Sequence, residues 1–147
     1  MPPSYFAKIW RDYMESIIFE DGYKEFTINN DPDRTIRFNP SDVGIAERFR
    51  EAYKAIDKRM SEKREGDTVA LIGELDAEIK AQIDFIFNQP VSEKVFGGQS
   101  PMAPVGGKML FERFLEAVLP VITESIEKER KASSERIGKY VREAEKL

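Results

Sequence analysis

Asn29, Asn30, Asp31 and Asp33 place four oxygen-bearing side chains within five residues, the kind of crowding a Ca2+ loop uses to surround a hard cation. The glycine and the bidentate glutamate that complete an EF-hand are missing, so these residues, with Pro32, read as a turn. Gly106-Gly107-Lys108 has the ending of a phosphate-cradling loop. Met102 stands where its first glycine belongs, however, and Met109 replaces the hydroxyl that would hold Mg2+. Glu74 with Glu78 and Glu112 with Glu116 are carboxylate pairs at helical spacing, but they sit among Lys and Arg partners as solvated faces do. The chain has no histidine and no cysteine. That removes Ser-His-Asp triads, Cys-His pairs and ordinary zinc sites, which need an imidazole or a thiolate. The expectation is a protein that is not an enzyme and uses neither a cofactor nor a metal.

Binding is the remaining kind of chemistry, and its candidates are apolar. Tyr5, Phe6, Trp10 and Tyr13 recur at three- and four-residue spacing, and exposing them together would be costly, so they are either core or an interface. Phe96, Met102 and Val105 punctuate a Gly- and Pro-rich stretch at 97–107, which is either a linker or an ordered loop that docks on a partner. Phe111, Phe114 and Leu115 lie on an apolar helical face wide enough to be shared with a client or with a second copy of the chain.

Three zones must position these residues. A short amphipathic helix is predicted over about 4–15. The β-branched and aromatic runs Ile17–Phe19, Tyr23–Ile28 and Thr35–Phe38, separated by Asp21-Gly22 and by Asn29–Asp33, then predict a three-stranded antiparallel meander over about 16–38. Next, Asn39-Pro40-Ser41-Asp42 caps a helix carrying Ile45, Phe49, Ala52, Tyr53, Ile56 and Met60 until Gly66 stops it. A second helix over about 68–88 carries Leu71, Ile72, Leu75, Ile79, Ile83, Ile86 and Phe87, and the short connection makes the two antiparallel neighbours. After a turn at 92–96 and the loop, a long helix starts near Lys108, with a kink expected near Glu116 to Pro120. The fold class is thus α+β, mainly α, with a bundle of three or four helices. Residues 1–126 form one domain and 127–147 a charged C-terminal helical extension.

Charge and length bound the setting. The 147 residues carry a formal net charge of −4. From Glu124 onward six acids meet seven bases, so the acidity belongs to the body. Mild acidity argues against a nucleic-acid partner, and no stretch approaches the roughly 18 apolar residues of a membrane span. The start Met1-Pro2-Pro3-Ser4 lacks the basic-then-apolar layout of a signal peptide, which predicts a cytoplasmic protein without membrane contact.

The run Ile18–Ile28, the Asn39-Pro40-Ser41-Asp42 cap leading into Glu47-Arg48-Phe49, and Val95-Phe96-Gly97-Gly98 ahead of the last helix resemble the small tail-region proteins of siphophages and prophages of Firmicutes, similar to phage tail assembly chaperones. The resemblance covers roughly residues 16–140, and its motifs are structural rather than catalytic. It implies a non-enzymatic factor in the host cytoplasm that binds the tape-measure protein, keeps its long helices from aggregating and helps recruit tail-tube protein during virion assembly. The aromatic segment 1–15 and the long charged end depart from that pattern. They motivate a second expectation, a phage-encoded protein that binds a bacterial defence system as inhibitor or sensed trigger.

Overall fold

The computed structural model describes residues 13–62, 66 and 68–146. The predicted N-terminal helix, with Tyr5, Phe6 and Trp10, falls almost wholly outside these residues. Two strands, β1 (Lys24–Ile28) and β2 (Asp31–Phe38), form an antiparallel hairpin. They are followed by α1 (Val43–Ser61), α2 (Thr68–Phe87), the short α3 (Ser92–Phe96), a two-residue hairpin of β3 (Pro104–Val105) and β4 (Lys108–Met109), and α4 (Leu110–Glu145). The protein is α+β and mainly α, as the periodicities predict.

The meander is corrected from three strands to two, and turn chemistry explains why. Asn29 and Asn30 both adopt positive φ, 51° and 62°, the pair of left-handed residues that a type I′ turn needs to match strand twist. At Asp21-Gly22 only the glycine does so, with φ 76°. Tyr23 donates its amide to Asp21 Oδ1 at 3.2 Å, which takes the donor that would close a hairpin there. Residues 15–23 therefore belong to no helix or strand.

Within the hairpin the register runs Phe26 opposite Ile36 and Thr27 opposite Thr35, then jumps to Ile28 opposite Asp31. Pro32, Asp33 and Arg34 bulge out, where the missing N–H of Pro32 costs no ladder bond. The bulge aims Arg34 at the end of α3, donating to the carbonyls of Lys94 at 2.8 Å and Val95 at 2.6 Å. Gly97 caps the same helix in the left-handed region, and a Cβ there would lie 3.0 Å from the Arg34 guanidinium. The Val95-Phe96-Gly97-Gly98 element is thus a helix end that buries its two apolar residues.

Asp42 caps α1 as the sequence predicts, accepting from the amide of Gly44 at 2.8 Å. The core collects Ile36, Phe38, Ile45, Ala52, Ile56, Ile79, Ile83, Ile86, Phe87, Val95, Phe96, Phe111, Leu115, Val118 and Ile122. Aromatic rings run through it in a chain. Phe26 stacks on Phe38 at 4.6 Å, Phe38 meets Phe87 edge-on at 5.0 Å, and Phe114 touches both Phe87 at 5.9 Å and Phe96 at 6.2 Å. This chain joins the hairpin to α2, α3 and α4.

The predicted turn at 92–96 is a one-turn helix, and α4 begins two residues later than predicted because Lys108 and Met109 pair with Val105 and Pro104 around Gly106-Gly107. The helix passes through Pro120 without interruption to Glu145. Its 36 residues make a rod of about 54 Å, and beyond Ile126 nearly every residue is exposed.

Candidate functional site

The loop 97–107 docks on its own chain. Pro101 is fully buried, and its carbonyl accepts the amide of Phe111 at 2.9 Å while that of Ala103 accepts Leu110 at 2.9 Å, so the loop supplies partners for the unpaired first-turn amides of α4. Arg113 returns to the carbonyls of Val105 and Gly106. Ser100 donates to Asp76 on α2. Burial alone would raise the Asp76 carboxyl, but the Ser100 hydroxyl and the Lys80 ammonium, 3.1 Å away, outweigh it and hold it below its ordinary value of 3.8.

A depressed carboxylate contributes stability that is present above its unfolded-state value and lost as pH falls through the lowered one. Acidification below about pH 4 is therefore expected to release this loop before the helices melt. Amide exchange at Ser100–Val105 checks it, and Asp76→Asn is expected to leave the loop's exchange flat across that range.

With the loop pinned, α1 and α4 are left with an open groove of about 660 Å3 between them. Phe49, Tyr53, Ile56 and Met60 from α1 and Phe111, Leu115 and Leu119 from α4 supply its apolar surface. Arg50, Lys54, Asp57, Lys108, Glu112 and Glu116 form a rim of mixed charge, in which Lys108 pairs with Glu116. Tyr53 is 57% exposed and Leu119 44%, so these apolar groups stand at the surface although both helices are fully formed. A smaller depression between α1 and α2 is lined in part by an ionic cluster. There Arg59 pairs with Glu78 and, at 3.0 Å, with Glu62, and its hydrogen bond to Glu78 raises the guanidinium further above its usual range. Among the described residues no group of three or more acidic side chains could hold a metal ion.

Those predicted binding residues that the structure describes separate into three sets, Tyr5, Phe6 and Trp10 lying outside it. Phe96, Phe111 and Leu115 are core side chains, and Phe111 and Leu115 also reach the groove floor. Phe114 and Met102 are half-buried against the core, Phe114 between two aromatic rings. Tyr13 and Val105 are exposed. Tyr53 and Met60 were legible only as parts of a helical stripe, and Leu119 lies one turn beyond the predicted face of Phe111 and Leu115. The available signal was that each stripe is wider than one neighbouring helix can cover.

Fold and site together define a mainly helical α+β protein with an open apolar groove between two of its helices. Compared with known proteins, the chain matches no protein-family model, no curated protein and no solved structure. No helix among the described residues is long and apolar enough to cross a membrane.

Proposed function

We propose that this protein is a phage tail assembly chaperone that seats an amphipathic helix of the tape-measure protein in the groove between α1 and α4 and helps deliver it to tail-tube protein in the host cytoplasm. The observation that carries this reading is the groove itself. Its walls run from Phe49 to Met60 and from Lys108 to Leu119, about three helical turns or 16 Å, the length over which an amphipathic helix presents anchors at i, i+3, i+4 and i+7. An apolar floor with a rim of both charge signs suits a client whose polar flanks alternate in sign, as long solvated helices do. The exposed Ile137, Tyr140 and Val141 on the projecting end of α4 lie at the same helical spacing and extend the apolar surface offered to an elongated client.

Co-expression with the tape-measure protein of the same genome is the test. The client is expected to be soluble only when this chain is present and to co-purify with it. A tape-measure protein equally soluble alone overturns the reading, and recovery of a host defence complex from uninfected lysate would favour the inhibitor or trigger function instead.

A further inference from the structure

We propose that residues 13–19 form an exchange arm, adding as a third strand to the free edge of β1 in a second copy of this chain. Ile17 and Ile18 are each 90% exposed and Phe19 72%, with Tyr13 and Met14 exposed before them. This is a β-branched and aromatic run with strand composition that makes no strand in its own molecule.

The root of the arm is built to keep it apart. Asn39 donates to the Asp21 carbonyl at 3.3 Å, and Gly22 packs so tightly on that side chain that a Cβ would lie 2.7 Å from its nitrogen. Arg37 lies over the Tyr23 ring at 4.6 Å. With Tyr23 N held by Asp21 Oδ1 and Asp21 outside the left-handed region, the two-residue hairpin that would fold the arm back onto its own β1 is not formed.

The receiving surface lies on the same protein. Among the described residues the sheet has two strands, and none of them pairs with the edge of β1 away from β2. Its apolar face is also unfinished. Ile36 and Phe38 on β2 are buried, whereas Phe26 and Ile28 on β1 are only partly so. A strand laid along that edge with Ile17 and Phe19 on the core face would cover Phe26 and Ile28, and it would turn Glu20 outward beside Glu25 and Thr27. Reciprocal addition gives a closed two-fold pair. On the covering face Tyr13, Ile17 and Phe19 carry on the order of 450 Å2 of exposed side chain per arm, so two arms with their receiving surfaces reach the area of a stable interface. The surface is separate from the α1/α4 groove, so dimerisation and client binding stand or fall independently.

Sedimentation of the full chain over a roughly hundredfold concentration range, with amide exchange read in parallel, tests this. The expected result is a monomer–dimer transition in which the β1 amides facing away from β2 gain protection. The double substitution Ile17→Asp and Phe19→Asp is expected to weaken association at least about a hundredfold with unchanged helical signal and, at concentrations where the wild type is monomeric, unchanged Tm, because both side chains are exposed in the monomer. A chain that stays monomeric throughout overturns the proposal. So does a dimer that survives the substitution, or one that leaves the β1 amides unprotected. Protection of β1 that is independent of concentration means the arm folds back in its own molecule, and also overturns it.

Discussion

Asp84→Ala is expected to lower stability by about 3 kcal/mol and Tm by about 10 °C. One carboxylate oxygen of Asp84 accepts from the amides of Val91 at 2.9 Å and Ser92 at 2.8 Å and from the Ser92 hydroxyl at 2.7 Å. Val91 and Ser92 are buried where the chain turns from α2 into α3, so removing the acceptor strands donors that water reaches poorly. The hydroxyl keeps a second acceptor, the Lys80 carbonyl at 2.9 Å, which limits the loss. Asp84→Asn retains an oxygen in the same place and is expected to cost about 1 kcal/mol, so chemical denaturation of the two variants separates lost charge from lost acceptor. Equal midpoints for Asp84→Ala and wild type would show that this turn is held by apolar packing of Val91 and Val95 instead.

The Asp84 contacts also indicate what could be read before the structure. Helix ends set by neighbours in sequence were legible. Asp42 caps α1 through Gly44, and α2 ends one residue short of the prediction, followed by Asn88 at φ 55°. The hairpin was half legible, because an Asp-Gly pair and an Asn-Asn pair look alike in composition and differ only in how many of the two residues enter the left-handed region. The fate of the 97–107 loop was not legible. The end of α3 that precedes it is tied by Arg34 to the carbonyls of Lys94 and Val95, and the loop itself by Ser100 to Asp76, across 60, 61 and 24 positions, and such pairs leave no periodicity in the chain. For the same reason Phe96, Phe111 and Leu115 read as surface candidates. An apolar helical stripe states that it will be covered, and only the packing decides whether the cover is a neighbouring helix or another molecule.

Substituting Tyr53→Glu and Leu119→Glu together is expected to abolish client solubilisation and weaken client binding about a thousandfold, at roughly 2 kcal/mol for each lost anchor. Both positions line the groove, one on each wall, and both side chains are substantially exposed in the free protein. Charging them therefore leaves the core intact, and Tm is expected to move by no more than about 2 °C. The new carboxylates would stand beside Asp57 on α1 and Glu116 on α4 and turn a charge-balanced groove net anionic where an apolar helix face has to enter. Ile137→Glu, on the projecting end of α4, is the matched comparison at the secondary apolar surface. It adds a charge at an exposed apolar residue outside the groove and is expected to reduce client recovery far less. Client rescue undiminished by the double substitution would remove the groove as the seat of binding. A loss of rescue with Ile137→Glu alone would move that seat to the projecting helix, an unchanged Tm assigning the loss to contact with the client rather than to unfolding.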